Sequence, residues 1–200
     1  MKAYTPINTT EISLIESGEK SEPLRVLLTS DEHDLMILRA DNLEVNPKDI
    51  VLKELIGRMF QTVTDENKPG VGIAAPQIGI NRRVFLAQRL DKPEHPFEFF
   101  INPEIVWYSK VLRKGEEGCL SIAEAYDTVY RSYAIQITYY DLEGKHFQEV
   151  VEGFTSVIMQ HEMDHLNGIL FTDHVEEQRV REYEEASIKN ELVYLKTMSN

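Results

Sequence analysis

The chain has 200 residues, 42% of them apolar and 28% charged, with a formal net charge of −13 and one cysteine. That length fits one domain, or one domain with an extension, and the apolar share is enough for a core. The acid excess excludes a protein that lives on the nucleic-acid backbone, which needs a basic stripe to displace phosphate counterions, and a lone cysteine excludes an internal disulfide framework. No run approaches the roughly 18 apolar residues of a membrane span. The opening stretch, "MKAYTPINTTEISLIESGEK", has no apolar signal core. The expected location is therefore the cytoplasm, unless a targeting segment has been removed ahead of Met1.

Residues 1–34 are acidic, with Ser, Thr and Pro spread among them. They are expected to form an N-terminal extension on the surface, with "LRVLL" as its one short strand candidate. A helix follows in "VNPKDIVLKELIGRMFQTV", where Asn46 suits the N-cap, Pro47 the first helical position and Asp49 the first turn. "VGIAAPQIG" passes through small residues into a loop. "RVFLAQRL" and "FFINPEIVWYS" are strand candidates, and "YAIQITYYDLEGKHFQEVVEG" is a hairpin turning at "DLEG". A second helix starts near Gly153, with Thr155 or Ser156 as its cap, and stops at Asn167-Gly168. A charged C-terminal helix is expected over about 176–196. This order predicts an α+β fold with mainly antiparallel sheets packed around one central helix, flanked by an N-terminal and a C-terminal helix. Residues 35–200 make up the main domain.

The central helix carries "HEMDH". His161 and His165, at i and i+4, lie one above the other on one face and can grip one ion. Phe154, Val157, Ile158 and His161 follow helical spacing, so the histidine face continues the apolar face and points inward. Two buried imidazoles are costly unless they bond something. Glu162 lies about 100° further round and can approach the open side of a metal without being a ligand. A catalytic ion of this kind takes three protein ligands, and the third is a downstream carboxylate or histidine, or Cys119. His174 follows the helix too closely to return to the site, and His33, His95 and His146 sit in polar contexts. Cys119, in the turn "EEGCLS", is the better candidate, since its thiolate completes a Cys/His/His set suited to zinc or ferrous iron.

Three segments in order, "GVGIAAPQ", "EGCLS" and "HEMDH", resemble the signature motifs of peptide deformylases. The resemblance covers roughly residues 35 to 174. It implies hydrolysis of the formyl group from the N-terminal formylmethionine of new polypeptides. The implied cofactor is one divalent metal on Cys119, His161 and His165: Fe2+ in vivo, with Zn2+ or Ni2+ also accepted. Glu162 would handle the proton of the attacking water. Gln77 and the backbone N–H of Leu120 would donate to the oxyanion. Gly70, Val71, Gly72, Phe154, Val157 and Ile158 would receive the methionine end of the peptide. Glu117 and Arg131 would form a supporting ion pair. The implied partners are the formylated peptide and the ribosome, with no nucleic acid bound directly and no membrane.

The chain departs from the family pattern after the cysteine. Ala123 replaces a proline, and Tyr126 and Asp127 stand where they would alter contacts with the peptide beyond methionine. Gly115 stands where an apolar side chain is common and is expected to widen the methionine site. Two other readings compete: a metallopeptidase built on the same helix motif, and a metal-binding or interaction protein without turnover. The first needs no Cys119, and the second has no use for Glu162 and Gln77.

Overall fold

The computed structural model describes residues 4–187 and 192–196. Three helices come first: α1 (Thr9–Ile15), α2 (Glu32–Leu38) and α3 (Val51–Val63). Seven strands follow: β1 (Gly72–Ala74), β2 (Val84–Gln88), β3 (Phe97–Tyr108), β4 (Val111–Cys119), β5 (Ile122–Ser132), β6 (Ala134–Tyr140) and β7 (His146–Glu152). After them come α4 (Gly153–Leu166), α5 (Phe171–Gln178), β8 (Tyr183–Ser187) and β9 (Leu192–Leu195). All named strand pairs are antiparallel, in a five-stranded sheet ordered β1-β2-β3-β6-β7 and a four-stranded sheet ordered β5-β4-β9-β8.

Helix α4 is the centre of this α+β arrangement. It packs on β1 and β2 and also reaches β5, β6 and β7. Ile158, Met159, Met163 and Leu166 of its apolar face join Phe85, Phe100, Ile135 and Ile137 in one core cluster. The second cluster lies on the other face of the larger sheet, where Leu52, Leu55, Met59 and Val63 of α3 cover Ile73, Val84 and Leu86. β2 is therefore buried on both faces, which is why "VFLA" is a continuous apolar run rather than an alternating one. The "INPEI" stretch forms a bulge in β3, with Asn102 at φ 46. Asn tolerates that conformation, and its amide brackets Val45 with hydrogen bonds of 2.9 and 2.8 Å.

Several elements differ from expectation. Helix α3 begins at Val51, because Asn46 and Asp49 turn their side chains onto the Lys48 and Val51 N–H groups in a preceding turn. Thr155 and Ser156 do not cap α4. They lie inside its first turn, where Thr155 accepts from Asp91 N–H and Ser156 donates to the Ser132 carbonyl. The "LRVLL" segment forms no strand. Its Leu24 and Leu27 are buried, and the Leu24 and Leu27 N–H groups donate to Thr62 Oγ1 and the Gln77 carbonyl. No continuous helix spans 176–196: α5 stops at Gln178, and β8 and β9 extend the edge of β4 (residues 188–191 lie outside the described residues). Val193 pairs with Leu112 and is buried there. Pairing "LVYL" with an open strand edge and burying Val193 outweighs the helix preference of the surrounding Glu, Ala and Lys residues, which is worth only tenths of a kcal/mol per residue.

The N-terminal segment is also more firmly attached than a surface arm. Ile7, Ile15 and Leu24 enter the first core cluster. Asn8 and Glu11 form a capping box on α1. Glu11 further takes the guanidinium of Arg82, which is 2% exposed and also donates to the Thr5 and Pro6 carbonyls. Arg82→Met is expected to remove the guanidinium from Glu11 and from both carbonyls, leaving Glu11 only the Asn8 N–H, and to lower stability by about 3 kcal/mol, or roughly 6–12 °C in Tm. Thermal unfolding followed by circular dichroism measures this, and an unchanged midpoint would show that Arg82 does not fasten the segment.

Candidate active site

His161, Glu162 and His165 all come from α4, whose spacing sets the two imidazole centroids 5.0 Å apart. Cys119 ends β4 at the hairpin into β5. Its Sγ lies 3.3 Å from His165 Nε2. The ligand atoms of Cys119, His161 and His165 all fall within 4.8 Å of one another, the one such grouping among the described residues. His161 Nδ1 sits 2.9 Å from Glu117 Oε2, which leaves Nε2 available to an ion. A carboxylate on the second ring nitrogen is the usual support of a metal-binding histidine. Glu162 Oε2 is buried beside this grouping without a hydrogen-bond partner, which is costly unless the site receives a polar occupant. These observations fit a divalent metal.

The electrostatics agree. Burial acts to raise the Cys119 pKa, but the charge on His165 and hydrogen bonds from both imidazoles outweigh it and hold the thiol well below its ordinary value. Burial opposes charge on His161, yet Cys119 and Glu117 push its pKa well above normal. The field that favours a proton there favours a metal cation in its place. Burial pushes Glu162 up to about 7, opposed by the two histidines. A cation beside it would bring it back down.

Glu117 is the hub of the supporting network. Burial would raise its pKa, but hydrogen bonds from Arg131 and His161 bring it down to about 2. Arg131 donates to both Glu117 oxygens at 2.7 and 2.9 Å and reaches Asp164 with its remaining nitrogen. Asp164 in turn meets His174 Nε2 at 2.8 Å. His174 thus supports the back of the site and is not a ligand. The family resemblance implies the Glu117–Arg131 pair and a supporting or structural place for Asp164, but the extension to His174 has no local signal.

A cavity of about 680 Å3 opens onto these residues. One wall is Gly70, Val71 and Gly72; the floor is Phe154, Val157 and Ile158 of α4; Tyr126 stands at the rim. Gln77, Cys119, Leu120, His161 and Glu162 also face it, so most of the expected site residues converge there. His165 and Arg131 lie behind this lining. A Cβ at Gly72 would overlap the Glu162 carboxylate, so this glycine leaves the carboxylate its place. Gln77 is buried, and its Oε1 accepts from Ala74 N–H at 2.9 Å. That bond directs Nε2 toward Cys119 Sγ at 3.6 Å and Ser121 Oγ at 3.2 Å. Tyr126, 74% exposed, pairs across the hairpin with Gly118, and its ring covers the space a Gly118 side chain would need.

Gly115 lies on the β4 face of Glu117 and Cys119, further from the hairpin tip, and lines a neighbouring groove that shares Glu116 and Phe154 with this cavity. Two residues given no role by the motifs also contribute. Ser121, fully buried at the end of "EGCLS", accepts from the Gln77 amide, and Lys68 reaches the cysteine turn from the segment after α3.

Comparison with known proteins gives a consistent result. A family model described as polypeptide deformylase matches residues 24–181. A peptide deformylase of Caulobacter sp. (strain K31) is 38% identical over 152 residues, 76% of this chain and 87% of that one. One from Phenylobacterium zucineum is 41% identical over 133 residues, 66% of this chain and 77% of its own. Among solved structures, the Met-Ala-Ser-bound class I type b peptide deformylase of Acinetobacter baumannii superposes with a TM-score of 0.68 at 34% identity, covering 77% of this chain and 99% of that one. The Thermotoga maritima peptide deformylase gives 0.68 at 35% identity, covering 76% and 97%. Among the described residues no helix is long and apolar enough to cross a membrane. With the metal-fitting triad, the adjoining carboxylate and these likenesses together, the chain belongs to the polypeptide deformylase family, the hydrolases that remove the N-terminal formyl group from new polypeptides.

Proposed function

We propose that this chain performs its family's hydrolysis with Cys119, His161 and His165 as metal ligands and Glu162 as the proton carrier. The observation that carries this reading is the convergence of a thiolate, two imidazoles, a buried carboxylate and a fixed amide on one peptide-sized cavity. When bound, the ion supplies Lewis acidity and lowers the pKa of water at the site toward neutral. Glu162 accepts the proton as the water oxygen attacks the formyl carbon, then delivers it to the amine as the C–N bond breaks. The products are formate and a free methionine N-terminus. Gln77 Nε2 and the Leu120 N–H donate to the oxyanion of the tetrahedral intermediate. Val71, Phe154, Val157 and Ile158 surround the methionine side chain, and Gly70 and Gly72 let the peptide backbone approach closely. Tyr126 meets the residues beyond methionine. Glu117 and Arg131 hold His161 in orientation.

Fe2+ is the proposed ion in the cell. A thiolate with two imidazoles also accepts Zn2+ and Ni2+. The proposed partner is the formylated peptide itself. Glu184 and Glu185 on the C-terminal hairpin disfavour docking on the ribosomal RNA backbone. The test is anaerobic purification, metal analysis and a formate-release assay on formyl-Met peptides with varied second residue. One equivalent of metal and formate release at enzymatic rates are expected. Bound metal with no formate release from any of the peptides would sink the reading and favour a metal-binding protein without turnover.

A further inference from the structure

Leu120 and Ser121 form the tip of the β4–β5 hairpin, between the paired residues Cys119 and Ile122. Hairpin tips are ordinarily the mobile end of a strand pair. This one carries the thiol and the Leu120 N–H, so its placement bears directly on the reaction. Thr29 N–H donates to the Ser121 carbonyl at 2.9 Å, and the Leu120 side chain packs on the first core cluster beside Gly70. The other carbonyl of the tip, that of Leu120, accepts from Lys68 Nζ at 2.7 Å. The peptide unit is planar, so gripping Leu120 O also sets the direction of the Ser121 N–H. That N–H donates to Cys119 Sγ at 3.4 Å. A cation on the carbonyl oxygen also makes the N–H at the far end of the same amide a stronger donor.

Lys68 is well placed to act as an anchor. Its N–H donates to the Asp65 carbonyl at 3.0 Å, and Gly70 N–H closes onto the Val63 carbonyl at 2.8 Å, so the segment is tied to the end of α3. Among the described residues Lys68 makes no ion pair, although Glu116 and Glu124 line the same cavity. Lys68 is an exposed residue, and among the described residues the hydrogen bond of its ammonium is the one to the Leu120 carbonyl.

We propose that Lys68 is a positioning residue: it straps the Leu120–Ser121 peptide to the α3–β1 segment and so keeps Cys119 Sγ and the Leu120 N–H in place during the reaction. This rests on the deformylase reading. The test compares metal-loaded wild type, Lys68→Met and Lys68→Arg by amide hydrogen exchange over residues 117–123 and by kinetics on formyl-Met-Ala-Ser. Lys68→Met is expected to speed exchange at Leu120 and Ser121 about tenfold, without change in Tm or metal content. It is expected to lower kcat by about five- to thirtyfold with KM within about twofold, and Lys68→Arg to restore both. Unchanged exchange in Lys68→Met overturns the proposal, as does a rise in KM at constant kcat, which would mean that Lys68 contacts the peptide. If wild type released no formate from any formyl peptide, the deformylase reading would fail, while the exchange comparison would still decide whether Lys68 holds the turn.

Discussion

Glu162→Gln is expected to keep its metal and lower kcat by about 10²- to 10⁴-fold, the usual range for losing a positioned general acid–base. The substitution is nearly isosteric and leaves His161, His165 and Cys119 untouched, so metal content should match wild type. The carboxylate is buried against Gly72 with one oxygen lacking a partner, so its place depends on that glycine. Gly72→Ala should therefore also lower kcat while metal is retained, because the new methyl group displaces the carboxylate. Formate release and metal analysis on the same samples check both variants. Full activity in Glu162→Gln would remove Glu162 from the proposed mechanism.

Cys119→Ala should lose tight metal binding, with a drop in affinity greater than the 10- to 100-fold typical of losing only an outer partner of a ligand. Activity should fall in proportion to the metal lost. Cys119 sits at a hairpin tip and is only half-buried, so the fold should survive, with the circular dichroism spectrum unchanged. Cys119→Ser offers a harder oxygen donor at the same place and should bind metal more weakly than wild type. This pair also discriminates against a metallopeptidase, which would take its third ligand from a downstream carboxylate or histidine. Among the described residues the structure groups no such side chain with His161 and His165; His174 is taken up by Asp164. Retained stoichiometric metal and peptidase activity in Cys119→Ala would decide for that alternative.

The features legible in the sequence are those whose physics is local. Two histidines at i and i+4 share a helix face whatever surrounds them, so the histidine face of α4 follows from "HEMDH" and its apolar neighbours. The turn at "DLEG" dictates the β6–β7 hairpin in the same way, and Gly168 ends α4 in the left-handed conformation. The triad itself needs more than local periodicity, because Cys119 lies on a strand and the histidines on a helix far along the chain. Only the family motifs and the chemistry of a thiolate beside two imidazoles point to it.

The rest depends on long-range contacts. Arg131, Asp164 and His174 form one network only because β5, α4 and α5 meet behind the site. The N-terminal segment is fastened by a buried arginine from the β1–β2 connection, and nothing in its own acidic, polar composition announces that partner. The C-terminal residues have the composition of a helix, yet they pair with β4, because an open strand edge and a buried Val193 contribute more than intrinsic propensity. Residue type and local spacing specify which side chains of α4 are able to hold an ion and carry a proton. How those side chains are oriented follows from bonds between residues far apart in the chain, which no local pattern encodes.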